Sequence, residues 1–130
     1  MASIFSKIIA GEIPSYRVAE SENCIAFLDV FPLAHGHVLV VPKKEIDYIF
    51  DVDDALFTEM HLFSKKVAIA IKKVVPCKRI GVAVVGLEVP HAHIHLIPLH
   101  QDAINFSQPK LKPSPEELAA VAEKIRAALA

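Results

Sequence analysis

The chain has 130 residues, of which 53% are hydrophobic and 22% are charged, and its formal net charge is −1. This balance predicts one soluble globular domain over residues 1–130, with no basic field for nucleic acid or for an anionic membrane surface. Cys24 and Cys77 are isolated cysteines, and the N-terminus lacks the apolar stretch of a secretory signal. No apolar run approaches the roughly 20 residues of a membrane span. We therefore expect a cytoplasmic protein without disulfides.

The first part of the chain predicts a short helix followed by three strands. Ser3 can cap a helix over Ile4–Ala10, and Gly11 can end it. Strands are predicted at Ser15–Ala19, Cys24–Leu28 and His37–Val41, because each is rich in strand-forming residues and bounded by turn formers or proline. We expect these strands to pair in an antiparallel sheet.

The middle of the chain predicts a long helix and two further strands. Apolar residues recur at gaps of three and four between Asp51 and Val75, which is typical of one amphipathic helix packed on a sheet. The almost wholly apolar segment Arg79–Val85 predicts a buried central strand. A short connection then places it beside a strand formed by His91–Ile97 and ended by Pro98.

The last part of the chain predicts an irregular segment and a final helix. Leu99–Pro113 has little periodicity, so we expect it on the surface or across a partner subunit. Ser114, Pro115 and Glu117 supply an N-cap, a proline at the first helical position and a capping-box glutamate, which together start a C-terminal helix. The complete order of elements indicates an α+β fold.

Three histidines at alternate positions, His91, His93 and His95, are the strongest functional signal. Successive side chains of a strand point to opposite faces, so the three rings would share one face. They would stand roughly 6.5–7 Å apart, a spacing suited to a phosphate group or a metal ion. Three adjacent imidazoles gain little apolar burial, and their nitrogens need partners wherever water is excluded. We therefore expect a functional row, whereas single histidines such as His61 and His100 are expected to be structural or solvated.

The triad resembles the hallmark of the histidine triad (HIT) family of nucleotide-binding and nucleotide-hydrolysing proteins. Ile4–Pro14, Phe27–Pro32 and Gly36–Lys43 resemble three further blocks of that family in the same order, so the likeness covers about residues 3–100 and leaves a loop and helix over 101–130. The likeness is to the purine nucleoside phosphoramidase branch. It implies an α+β, HIT-like fold with about five antiparallel strands, a short first helix, a long central helix and a C-terminal helix. It also implies a homodimer that requires no cofactor or metal.

The resemblance also implies a reaction, the cleavage of a purine nucleoside 5′-phosphate derivative, such as a phosphoramidate, at the α-phosphorus. His93 would be the nucleophile and would form a covalent nucleotidyl-histidine, with its tautomer fixed by a backbone carbonyl near His91. His91 and His95 would bind phosphate oxygens or orient the nucleophile, and His37 would join them from the neighbouring strand. Asp29 would bind the ribose hydroxyls. The apolar slot for the base would be formed by Ile4, Phe5, Ile8, Phe27 and Val30.

One segment departs from the family pattern. Members commonly carry a longer glycine-containing loop with glutamine and serine or threonine before the triad, whereas this chain has Gly86-Leu87-Glu88-Val89-Pro90. The Glu88 carboxylate would repel an anionic substrate unless it points away, is protonated, binds a cation or meets a positively charged leaving group.

Several alternatives stay open from the sequence. They are a dinucleoside polyphosphate hydrolase, a nucleotide-binding protein with little hydrolysis, and a metal site completed by Glu88 or His37. Individual residues have simpler interpretations as well. The helix face of Ile4, Phe5 and Ile8 could be plain core, Asp29 a turn former, and His35 a solvated loop residue.

Overall fold

The computed structural model describes residues 2–100 and 104–129, and it consists of three α-helices, one short 3-10 helix (Ile49–Asp51) and five strands in these ranges. The α-helices and strands in chain order are α1 (Ile4–Ile9), β1 (Arg17–Glu20), β2 (Cys24–Leu28), β3 (Val38–Pro42), α2 (Asp54–Val74), β4 (Arg79–Ala83), β5 (Ile94–Leu99) and α3 (Pro115–Leu129). The strands form one antiparallel sheet in the order β1-β2-β3-β5-β4. The predicted α+β fold is confirmed.

Alternating side chains of the sheet enter two apolar layers. The face beneath α2 and α3 carries Cys24, Ala26, Leu28, Val38, Val40, Ile94 and Leu96, all buried. The opposite face carries Ile25, Phe27, Leu39 and Val41, which pack with Phe5 and Ile8 of α1. Leu39 of β3 is paired with His95 of β5. His95 therefore projects toward the α1 side of the sheet, where the thinner apolar layer leaves room for a ligand.

Side-chain caps fix where the helices begin. The Ser3 hydroxyl accepts a hydrogen bond from the backbone N–H of Ser6 at 3.0 Å, as predicted for the first helix. Asp53 caps α2, so that helix begins three residues later than the predicted Asp51. Ser114 and Glu117 exchange two hydrogen bonds of 3.1 Å, which confirms the predicted capping box of α3.

The predicted histidine strand is wrong at both ends. β5 begins at Ile94, because the backbone N–H groups of His91 and Ala92 donate outside the sheet, to the carbonyls of Val89 and Ile46 at 2.8 and 2.7 Å. Pro98 lies inside β5, beyond the point where the pairing with β3 ends, so its missing N–H is tolerated. His91 and His93 consequently stand on the turn that leads into the sheet.

The strand over Arg79–Ala83 is an edge strand and not the predicted buried central strand. β4 pairs with β5 on one side, as predicted, and the other side has no partner strand among the described residues. Val82 is 58% exposed and Val85 is 49% exposed. The apolar composition of this segment therefore reflects a surface that the described part of the chain leaves uncovered.

The segment between β5 and α3 is irregular where it is described, as predicted, and it folds back on its own chain. Residues 104–113 contain no helix or strand. The backbone N–H of Leu111 donates to the Pro32 carbonyl at 2.9 Å, and Ile104 and Phe106 pack beside Leu33. Residues 101–103 of the predicted irregular segment lie outside the described residues.

Within the described ranges, no helix combines the length and the apolar character that a membrane crossing needs.

Candidate active site

A cavity of about 300 Å³ lies on the α1 side of the sheet. Its lining includes all seven residues that the sequence assigned to substrate binding, together with two of the triad histidines: Ile4, Phe5, Ile8, Phe27, Asp29, Val30, Glu88, His93 and His95. Apolar side chains line most of it, and the polar side chains are the two carboxylates and two imidazoles of that set, together with Ser15. The cavity thus joins an apolar slot to a small cluster of titratable groups.

The apolar slot is held by α1 and β2. The Phe5 ring meets the Phe27 ring edge to face with centroids 5.6 Å apart, and it meets the His93 ring at 5.0 Å. Phe5 and Ile8 are buried in the small core on this face, whereas Ile4 is 50% exposed and lines the cavity. The helix face therefore serves as core and as cavity wall, so both sequence interpretations of it are compatible with the structure.

His93 is held in one tautomer by a backbone carbonyl. Its Nδ1 lies 2.7 Å from the carbonyl oxygen of His91, and a carbonyl only accepts, so Nδ1 carries the proton and donates. The Nε2 of the neutral ring is then left with a free lone pair, which is what a nucleophile needs. The ring is 4% exposed and lines the cavity, between the Phe5 and His95 rings.

His37 and His95 form a second fixed pair. The Leu33 backbone N–H donates to Nδ1 of His37 at 3.1 Å, so the proton of the neutral His37 ring sits on Nε2. That Nε2 donates to Nδ1 of His95 at 3.0 Å, which leaves the proton of His95 on its own Nε2. Burial, reinforced by His95, lowers the pKa of His37 to about 3, and burial with nearby His93 lowers the pKa of His95 to about 4. Both rings are neutral near pH 7, and His95 keeps an N–H to donate.

His91 does not face the cavity, so the prediction that all three rings share one cleft is wrong. The ring is fully buried; its Nε2 lies 2.8 Å from the Pro42 carbonyl and its Nδ1 lies 2.7 Å from the Ser3 hydroxyl. Burial lowers its pKa. Because both ring nitrogens are already hydrogen-bonded, the His91 ring cannot bind a phosphate oxygen. The residue contacts His93 through its backbone carbonyl, which accepts from Nδ1 of the His93 ring.

Asp29 lines the same cavity. One oxygen accepts from the Phe31 backbone N–H at 2.9 Å, so the turn-forming interpretation holds. The other oxygen lies 3.8 Å from Nε2 of His37. Burial raises the pKa of this carboxyl, and the negative charge of Glu88 raises it further. A carboxylate with a free oxygen in a partly buried position is a strong acceptor for hydroxyl groups.

Asp29, His37 and His95 also form a candidate metal set, since one ligand atom from each lies within 4.8 Å of the others. Two imidazole nitrogens on a tetrahedral zinc ion stand about 3.3 Å apart, because each Zn–N bond is about 2.0–2.1 Å. Here the facing nitrogens are 3.0 Å apart and share a hydrogen bond. This geometry favours a proton between the rings. The expectation that the protein requires no metal or cofactor stays a prediction.

Sequence reasoning missed several residues around the cavity. Leu39, Phe31 and Val89 line it, and strand alternation or adjacency to known wall residues could have found them. The ring of Phe106 contacts His95 edge to face at 4.9 Å, and the charge of Lys110 acts on both His37 and His95. These two come from the irregular C-terminal segment, for which the sequence carried no signal.

Comparison with known proteins gives consistent matches. The HIT domain family matches residues 10–102. The adenosine 5′-monophosphoramidase of Schizosaccharomyces pombe is 33% identical over 129 residues, covering 96% of each chain, and that of Saccharomyces cerevisiae is 38% identical over 98 residues, covering 75% of this chain and 62% of that one. A HIT-like protein involved in cell-cycle regulation from Bartonella henselae has a TM-score of 0.85 at 37% identity, covering 97% of this chain and 95% of its own. A zinc-bound histidine triad family protein from Mycobacterium smegmatis has a TM-score of 0.82 at 25% identity, with 99% and 94% covered.

Proposed function

Because this chain belongs to the HIT domain family, we propose that it hydrolyses a purine nucleoside 5′-phosphoramidate through a covalent nucleotidyl-histidine. The single observation that carries the proposal is the 2.7 Å contact between Nδ1 of His93 and the His91 carbonyl. It leaves the lone pair of Nε2 free on a ring that lines a nucleotide-sized apolar cavity.

The reaction divides into two displacements at the α-phosphorus. In the first, Nε2 of His93 forms a P–N bond while the bond to the leaving amine breaks, and the amine departs with its electron pair and takes a proton from solvent. In the second, water attacks the same phosphorus and loses a proton while the P–N bond to His93 breaks. The electron pair of that bond returns to Nε2 of His93, and the nucleoside monophosphate is released. Each displacement is easier than the direct one.

The other polar groups stabilise and orient the substrate in this proposal. The Nε2–H of His95 donates to a phosphate oxygen. His37 fixes this tautomer, because its own Nε2–H donates to Nδ1 of His95. Asp29 accepts from the ribose hydroxyls through its free oxygen. The base lies among Phe5, Phe27 and their apolar neighbours, with edge contacts that fit a flat aromatic ring.

Glu88 favours an amine leaving group over a polyphosphate. It is exposed, it lines the cavity, and its charge acts on Asp29, so two carboxylates line the same cavity as His93. A departing nucleoside polyphosphate carries several negative charges that Glu88 repels, whereas a departing amine is neutral or becomes an ammonium ion. We therefore rank the phosphoramidate above the dinucleoside polyphosphate.

The test supplies adenosine phosphoramidate and a diadenosine polyphosphate separately to the wild type and to His93→Ala, and measures release of adenosine monophosphate by chromatography. We expect the wild type to prefer the phosphoramidate and the variant to be inactive on both. Equal turnover by His93→Ala contradicts the nucleophile assignment. A wild type that binds adenosine monophosphate but cleaves neither compound supports the alternative of a nucleotide-binding protein without hydrolysis.

We also propose that two copies pair through β4 and α2. β4 offers an open edge, and Val82 together with Leu62 and Ile69 of α2 is at least half exposed, at 58%, 61% and 50%. Light scattering on the wild type and on Val82→Lys tests this, since a charge on the strand face disfavours the pairing.

The free thiols of Cys24 and Cys77 suit the reducing cytoplasm that the sequence predicts.

A further inference from the structure

A chain of hydrogen bonds connects an exposed carboxylate, Glu45, to the ring of His93. Oε1 of Glu45 accepts from the backbone N–H of Ser3 and from the hydroxyl of Ser6, both at 2.6 Å. The carboxylate thereby clamps the first turn of α1, the helix that carries Ile4, Phe5 and Ile8 of the apolar slot. Glu45 does not line the cavity, so any influence on the reaction passes through other residues.

The chain continues through the buried ring of His91. Nε2 of His91 faces the Pro42 carbonyl, which only accepts, so that nitrogen carries the proton of the neutral ring. Nδ1 is therefore an acceptor, and it receives the hydroxyl proton of Ser3 at 2.7 Å. The Ser3 oxygen also accepts from the Ser6 backbone N–H at 3.0 Å, which restricts the orientation of the hydroxyl. The Ser6 hydroxyl lies 3.5 Å from the same Nδ1, so both serines contact the His91 ring.

The last bond reaches the reacting ring. With both nitrogens of its ring held, His91 fixes the direction of its own carbonyl, and that carbonyl accepts from Nδ1 of His93 at 2.7 Å. We infer that Glu45 is a positioning residue, which holds Ser3 and Ser6 so that His91 keeps the nucleophilic ring in one tautomer and aligned with the base slot. The inference rests on the proposed function for its kinetic consequence only.

The energetics suit this role. Hydrogen bonds from Ser3 and Ser6 lower the pKa of Glu45 to about 2, so the carboxylate stays ionised near neutral pH. Charge-assisted bonds are shorter and stronger than neutral ones, and the bond from Ser6 limits the rotation of its hydroxyl. Pre-set geometry at a nucleophile contributes directly to rate, because a small misplacement of the reacting atom is costly.

The experiment compares Glu45→Ala, Glu45→Gln and the matched control Glu59→Ala. Glu59 has the same kind of environment, since its carboxylate accepts from the Ser21 hydroxyl at 2.6 Å and from the Asn23 backbone N–H at 2.9 Å, but it does not touch the triad. Two quantities are measured: kcat on adenosine phosphoramidate, and the ¹⁵N chemical shifts of the His93 ring nitrogens, which report the tautomer without substrate. Thermal unfolding confirms that each variant is folded.

We expect Glu45→Ala to lower kcat by about 10- to 100-fold and to convert the His93 signals to a mixture of tautomers. Glu45→Gln keeps an acceptor oxygen for both serine groups and should restore kcat and the single tautomer. Glu59→Ala should change neither. The inference is wrong if Glu45→Ala keeps the wild-type kcat and tautomer, or if Glu59→Ala reproduces its effects. If the wild type shows no turnover, the proposed function fails, and the ¹⁵N shifts still decide whether Glu45 positions His93.

Discussion

Acidification should destabilise this fold through His37, whose pKa in the folded state is about 3 against an ordinary value of 6.5. The ring is buried and neutral, so the unfolded chain binds more protons than the folded one at every pH between those two values. Stability is therefore complete above about pH 6.5 and falls as the pH decreases. About pH 5 lies roughly 1.5 pH units below the ordinary pKa of histidine. At about 1.36 kcal/mol per pH unit, proton binding by the unfolded chain therefore lowers the free energy of unfolding by about 2 kcal/mol.

Urea denaturation followed by circular dichroism, at about pH 7.5 and about pH 5, measures this loss. His37→Asn removes the titrating ring while its side-chain oxygen can still accept from the Leu33 backbone N–H, so we expect a weaker pH dependence than in the wild type. His61→Gln removes an exposed histidine and serves as the control. The lowered pKa values of His91 and His95 act in the same direction and remain in every variant. Equal losses of stability in the wild type and in His37→Asn would refute the reasoning.

Four further substitutions test other parts of the account. Gly36→Ala should lower the free energy of unfolding by at least about 1 kcal/mol, measured by urea denaturation, because φ is +88° and the new Cβ would lie 2.8 Å from Val75; Gly86→Ala, with φ of +76° and open space, should cost less. Asp29→Asn should reduce the preference for ribose over 2′,3′-dideoxyribose about tenfold in kcat/KM, since charged hydrogen bonds contribute about 1.5–3 kcal/mol. Glu88→Gln should raise kcat/KM on diadenosine polyphosphate relative to adenosine phosphoramidate; an unchanged ratio would remove Glu88 from substrate selection.

Local signals in the sequence predict most of the elements. The caps at Ser3 and Ser114 and the spacing of apolar residues in α2 act over a few residues, so they can be interpreted without tertiary structure. Strand order depends on contacts between distant segments. The apolar β4 was therefore predicted to be central, although it lies at the edge of the sheet in the described chain.

The site shows the same division between local and distant information. The motif likeness assigned His93, Asp29 and the apolar wall, and the structure brings these together in one cavity. Alternation along a strand placed the His91 ring beside the others, but its actual partners are 88 and 49 residues away, at Ser3 and Pro42. The sequence does not predict the contacts of Glu45 with Ser3 and Ser6, because nothing in its local sequence marks a residue that contacts the first helix.

The central claim is that His93 becomes covalently bonded to phosphorus during turnover. Rapid quenching of the wild type with adenosine phosphoramidate, followed by mass spectrometry of the intact chain and of its peptides, measures this directly. The account predicts an adenylyl group on the peptide that contains His93, formed and lost at rates consistent with kcat, and its absence in His93→Ala. Turnover without any adduct, or an adduct on His95, would contradict it.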